Sequence, residues 1–333
     1  MIEATRQWSL KAAGKLGVAE HFLAPDRGDP IVLMYHGAIA DSNGQPATGD
    51  HKHVGESLFR EHLGMLAAHR RVVPLSILVK ALLEGRNCSG MLAITFDDGY
   101  LNNAECAARV LKEFSMCATF FLASGFLGAH RWVWNDRLEY IVEVAADQDI
   151  TFDWDDGAKK VNARLGTQAE RASFVKQMKS GLKHLDWRIA EKCVNELSGR
   201  LGVPDAPPHG QYRFMSWEDA RRMVQDGFEV GAHTVNHAIL SRVPLATAEE
   251  EILGSQARVL AETGTCCSTF CYPNGKIADF TPQVQGICAR HFDAALSAEP
   301  GFLRLENRYE LRRIGVDHGT SVQRLAARIL EGL

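Results

Sequence analysis

A chain of 333 residues has room for one large α/β domain or two modest ones, and 46% apolar with 23% charged residues is the balance of an ordinary globular protein. The net charge of −4 excludes a nucleic-acid partner held by a basic surface. No window approaches the roughly 18 consecutive apolar residues of a membrane-spanning helix.

Residues 1–23 pattern as a short amphipathic helix with Arg6, Lys11 and Lys15 on its polar side, without the apolar core and cleavage site of a secretory signal. They predict a helical extension over 1–30 and a cytoplasmic protein, peripheral docking at the inner membrane surface being the alternative. The eight cysteines follow no disulfide framework, and Cys266, Cys267 and Cys271 have no fourth metal ligand in sight, so free thiols are expected.

The apolar run Ile31–His36, stopped by Gly37, predicts the first strand, followed by a polar loop to His53. Phe59, Leu63, Leu66 and Ala67 recur at helical spacing over 57–69. Val72–Leu75 reads as a short strand, with Ser76 capping a helix through Leu83. Met91–Ile94 is a buried strand, Ala104–Phe114 a helix and Cys117–Leu122 another buried strand. This alternation predicts a parallel sheet with helices outside.

Residues 125–213 break the rhythm. Trp132 to Trp134 lead into a helix through Ala146, and Asp155-Asp156-Gly157 turns a hairpin between Ile150–Trp154 and Ala158–Val161. A charged helical stretch, Gln168–Ser198, follows. The alternation resumes with helix Ser216–Gln225, strand Phe228–Ala232, helix Ala246–Glu262 and strand Ser268–Tyr272. Helix 281–290, strands Ala294–Leu296 and Leu311–Val316, and a final helix 321–331 close the chain. The expectation is one barrel over 31–333 with a mainly helical insertion at about 125–213.

Thr95-Phe96-Asp97-Asp98-Gly99 ends a predicted strand with two carboxylates and a glycine. Neighbouring side chains on a regular strand face opposite ways, so a shared site requires the chain to turn, which Gly99 permits. Two adjacent carboxylates repel without a positive partner, and a metal ion is the simplest one. His233-Thr234-Val235-Asn236-His237 follows another strand and spaces two imidazoles four apart, one face of a helical turn. Thirteen histidines supply about 0.5 such pairs by chance, so position carries the argument: both motifs sit at strand C-termini, which share one rim in parallel α/β folds. Two imidazoles and one aspartate make a three-ligand site with open positions, leaving the other aspartate as general base. Trp132 or Trp134, at the edge of the insertion, is a candidate to line the cleft, with packing against the barrel as the alternative.

These two motifs, about 135 residues apart, resemble those of the polysaccharide deacetylases with a NodB-type domain, as do Met34-Tyr35-His36 and Ala118–Leu122. The resemblance implies a distorted (β/α)7 barrel that hydrolyses acetyl groups on sugars. It implies Asp97 as general base and Asp98, His233 and His237 as ligands of a divalent metal, most often zinc, with cobalt, nickel, manganese or ferrous iron as alternatives. An oxyanion-binding backbone N–H would come from the loop matching the family's Arg-x-Pro-Tyr-Gly, here Cys271-Tyr272-Pro273-Asn274-Gly275. Cys271 stands where the family has the arginine that pairs with the base, and Arg313 is the candidate replacement. The family's C-terminal Leu-x-His is missing, which leaves His36, with His318 as competitor, to protonate the leaving amine. The expected substrate is an N-acetylated sugar or glycan precursor. Rival readings are hydrolysis of a small amide or cyclic imide, a silent carbohydrate-binding protein, and a non-haem iron oxygenase, which has little use for a second adjacent aspartate. Oligomeric state is not encoded in any feature.

Overall fold

The computed structural model describes residues 28–41, 52–154 and 159–333. The helix expected over residues 1–23 and the turn at Asp155-Asp156-Gly157 lie outside them. The core is a parallel sheet whose strands are almost wholly apolar because helices or the barrel interior cover both faces. Its members are β1 (Ile31–Tyr35), β5 (Met91–Phe96), β6 (Thr119–Leu122), β9 (Glu229–Ala232), β10 (Thr269–Cys271), β11 (Ala294–Leu296) and β12 (Ile314–Gly315), in the order β11-β10-β9-β6-β5-β1-β12, with the short β4 (Arg71–Val72) pairing β5 off this path. Leu33 pairs with both Ile94 and Ile314, and Phe120 with both Phe96 and Val230. The two ends of the sheet meet through the bridge between Leu296 and Leu311 and flanking backbone bonds such as Arg313 N–H to Glu299. The result is a curled parallel sheet with irregular closure, and every strand ends towards the same rim.

Shorter elements differ from expectation for local reasons. The loop expected up to His53 contains two three-residue strands, β2 (Gly37–Ile39) and β3 (His53–Gly55), paired in parallel. They are too short to show a period in sequence. Pro74 ends β4 (Arg71–Val72) and is itself the N-cap of α2 (Leu75–Leu83). Ser76, expected as the cap, instead bonds through its hydroxyl to Glu229 on β9. The expected strand over Leu311–Val316 is regular only at β12, because Leu311 turns to bridge β11 while Ile314 pairs with β1. Helices α1 (Glu56–His69), α3 (Ala108–Glu113, after a π-turn over Asn103–Ala107), α7 (Trp217–Gln225), α8 (Leu245–Thr263), α9 (Pro282–His291) and α10 (Val322–Glu331) complete this layer. Among the described residues no helix is long and apolar enough to cross a membrane.

The insertion has an apolar core of its own. Helices α4 (Trp134–Val144), α5 (Gln168–Leu182) and α6 (Trp187–Arg200) pack against an antiparallel hairpin of β7 (Asp149–Trp154) and β8 (Lys159–Arg164). Ile150, Phe152 and Trp154 alternate inward along β7, meeting Leu138, Phe174, Met178 and Val194. Thr167 and Glu170 form a reciprocal capping box at the start of α5. This packing fixes α4 and α5 in relation to the barrel rim.

Two stability predictions arise here. A Cβ at Gly231, on β9, would meet the Phe121 ring at 2.4 Å, and that ring is fully buried. Gly231→Ala is expected to lower unfolding free energy by about 1–3 kcal/mol, read from the urea midpoint. His62 is buried, with Nε2 2.8 Å from the Thr320 carbonyl and Nδ1 3.2 Å from the Tyr35 hydroxyl. The carbonyl can only accept, so Nε2 carries the proton and Nδ1 accepts. Burial pushes the ring's pKa down to about 4. Below its unfolded value of about 6.5 the unfolded chain binds the extra proton first, so stability falls as pH drops towards 4, by up to about 3 kcal/mol from this group. His62→Gln should make that acid slope shallower.

Candidate active site

The chain turns abruptly at the C-terminal end of β5, where Asp98 has φ 74° and Gly99 φ 90°. That turn directs both aspartates to the rim. At the end of β9 the segment His233 to His237 is a loop, not the helical turn expected from the spacing, with Thr234 at φ 63° and His237 at φ 54°. Left-handed non-glycine residues of this kind cost about 1–3 kcal/mol each and persist only where surrounding contacts impose them. Glu251, a buried residue of α8, imposes them here. Its carboxylate accepts from the backbone of Val235 and Asn236 and from the Asn236 side chain, at 2.7–2.9 Å. The 16-residue separation from Val235 gave no signal by which sequence reasoning could find it.

His233 Nδ1 lies 2.8 Å from the Cys271 carbonyl, which can only accept, so that nitrogen carries the proton. In the neutral ring, Nε2 therefore presents a lone pair, and it faces Asp98 Oδ1 at 3.3 Å. His237 Nε2 approaches the same oxygen at 3.1 Å. Asp98 Oδ1 is buried and has no well-directed hydrogen bond. Three electron-rich atoms converging on one point, one of them held in the lone-pair tautomer, fit a divalent cation, and their donor atoms lie within 4.8 Å of one another. Burial opposes ionisation of Asp98, but the flanking imidazoles outweigh it and hold the carboxyl well below its usual range.

Asp97 points to the other side. Arg313, fully buried, grips it with two parallel bonds, Nη1 to Oδ1 and Nη2 to Oδ2, both at 2.8 Å. The guanidinium is fixed in turn by the Ser297 carbonyl at 2.7 Å and the Thr95 hydroxyl at 3.2 Å. Its Nη2 also lies 3.0 Å from Cys271 Sγ. Burial pushes Asp97 up, and Arg313 more than reverses this, so the carboxyl stays ionised.

The family profile described as "Polysaccharide deacetylase" matches residues 84–287. The chain belongs to that family. Solved structures agree at the level of fold: the deacetylase PplD of Streptococcus pyogenes, determined in complex with acetate, is 16% identical with a TM-score of 0.59, over 91% of this chain and 99% of that one. IcaB of Ammonifex degensii is 17% identical with a TM-score of 0.57, over 91% of this chain and 98% of that one. A polysaccharide deacetylase of Bacillus cereus is 18% identical with a TM-score of 0.57, over 91% and 69%. No curated protein sequence matches the chain.

The family's arginine position is thus occupied by a thiol, and Arg313 reaches Asp97 from the other edge of the curled sheet. In the loop Cys271–Gly275, the Tyr272 hydroxyl is spent on the Tyr309 carbonyl at 2.9 Å, and its ring stacks on Phe280. Tyr272 thus edges the cleft with its hydroxyl engaged elsewhere. The Tyr272 N–H donates to Leu296, Pro273 has none, and the Gly275 N–H donates to Pro273. By elimination, Asn274, at φ 61°, has the one N–H of this loop without a partner among the described residues.

One cleft of about 380 Å³ holds Asp97, Asp98, His233, His237, Arg313 and His36. Burial pushes His36 below its usual value against the pull of both aspartates. His318 does not line this cleft. Trp134 does, whereas Trp132 stacks on Tyr140 at 5.0 Å and faces elsewhere. The far wall comes from the insertion, as Asn135, Glu139, Lys179 and Lys183.

Proposed function

We propose that this family member hydrolyses the N-acetyl group of an amino sugar in a glycan or glycan precursor, with a divalent ion, zinc first among those considered, held by Asp98, His233 and His237. The observation that carries the reading is their convergence at 3.1–3.3 Å beside an aspartate clamped by Arg313. Bound there, such an ion supplies Lewis acidity, acidifying water and polarising the acetyl carbonyl. The chain's own residues do the rest. Asp97 keeps free lone pairs on both oxygens despite the bidentate clamp, so it can take a proton from the attacking water. Arg313 holds that carboxylate ionised and immobile. The Asn274 N–H, which has no partner in its loop among the described residues, is the donor assigned to the oxyanion as the carbonyl becomes tetrahedral. His36 is the group on the rim suited to deliver a proton to the departing amine.

The test combines acetate release from a panel of N-acetylated oligosaccharides and small imides with elemental analysis. Chelation is expected to abolish release and added zinc to restore it, while Asp98→Asn should lose both metal and turnover. Undiminished acetate release by a metal-free preparation would overturn the mechanism.

A further inference from the structure

The insertion places two helices side by side on the far wall of the catalytic cleft, and both present polar groups to it. On α4, Asn135 and Glu139 stand four residues apart and so share a face. Asn135 Oδ1 and Glu139 Oε2 are buried without any hydrogen-bond partner among the described residues. On α5, Lys179 and Lys183 repeat the same spacing at the helix's C-terminal end. Lys179 is paired with the other oxygen of Glu139. Lys52, also in the cleft, is paired with Asp136 at 2.5 Å. Lys183 bonds only to the neutral Asn274 side chain, at 2.7 Å, and no carboxylate lies within ion-pair distance of it among the described residues.

The cleft therefore offers two acceptors without donors and one cation without an anion. An occupant that satisfies all three carries hydroxyl groups and a negative charge. We propose that the insertion is a substrate-recognition wall for an anionic glycan, in which Asn135 and Glu139 accept sugar hydroxyls and Lys183 pairs with a carboxylate or phosphate near the acetylated residue. Asn274 ties the two parts of the site together, since its side chain touches Lys183 while its backbone belongs to the loop after β10. Buried acceptors left dry are costly, and a charge-assisted bond in a partly closed cleft is worth roughly a tenfold change in binding, so the wall favours such a ligand over a neutral one.

This rests on the deacetylase reading for its chemistry but is tested apart from it. Three probes are compared: a neutral N-acetylglucosamine oligosaccharide, the same length bearing a uronate, and one bearing a phosphate monoester. Binding is measured calorimetrically on the metal-loaded Asp97→Asn protein, and acetate release on the metal-loaded protein with Asp97 intact. At least one anionic probe should bind, and be turned over, about tenfold better than the neutral one, the two arms identifying carboxylate or phosphate as the group. Lys183→Met should shrink that ratio towards one, and Lys183→Arg should preserve it, which separates lost charge from a misfolded wall. Equal handling of neutral and anionic probes, or equal loss on both in Lys183→Met, overturns the proposal. Lys183-dependent binding without acetate release would keep the wall and sink the deacetylase reading. Acetate release without discrimination would do the reverse, and neither binding nor release would remove both.

Discussion

Asp97→Asn is expected to keep its metal and lose turnover by about 10²–10⁴-fold, the range that a positioned general base supplies. The substitution is nearly isosteric, and its amide oxygen can still accept from Arg313, but the amide cannot take a proton from water. The three atoms that converge on the cation site are untouched, because Asp98 faces the imidazoles while Asp97 faces Arg313. Metal content and kcat should therefore separate in this variant and fall together in Asp98→Asn. Replacing a buried carboxylate also leaves the guanidinium short of its counter-charge, so rates need to be taken where the variant is fully folded. A variant that lost metal and turnover in equal measure would mean that Asp97 is a ligand, and Asp97, His233 and Cys271 do offer a second, wholly buried grouping that such a result would favour.

The parts of this site that could be read in the sequence are those carried by long apolar strands. Asp97, Asp98 and His233 follow runs whose burial is evident from composition, and parallel topology brings their ends to one rim. The His233/His237 pair was legible for the wrong reason. A spacing of four suits a helical face, yet here Glu251 folds a loop that brings the rings to 5.1 Å between centroids. The bond between Arg313 and Asp97 spans 216 residues and is set by how the sheet curls, which no local pattern encodes. The cationic wall was illegible for a related reason. Lys179 and Lys183 look like the solvated face of a charged helix until α5 is packed against α4 and both are set over the rim. Three-residue strands such as β2 and β3 have no period to detect.

Arg313→Met should be the most destabilising single change in the cleft, at about 3–5 kcal/mol, because it leaves the buried Asp97 carboxylate without its counter-ion. The cost arises from the orphaned charge more than from lost attraction, and this makes a specific prediction for the double variant. Arg313→Met combined with Asp97→Asn removes both charges, so it should be more stable than Arg313→Met alone, with the difference read from urea unfolding in a double-mutant cycle. Catalysis should not recover in the double variant, since the base is gone. The geometry at Cys271 adds a second arm. Its Sγ lies 3.0 Å from Arg313 Nη2 and 3.6 Å from Asp97 Oδ2, so position 271 borders the same carboxylate. Cys271→Arg introduced into Arg313→Met would restore a guanidinium at the position where the family usually carries it. Recovery of stability and turnover there, against none from Cys271→Lys, would show that Asp97 requires a planar two-pronged donor and accepts it from either edge of the sheet. If Arg313→Met instead kept full stability and turnover, the buried pair would have no role in holding the base.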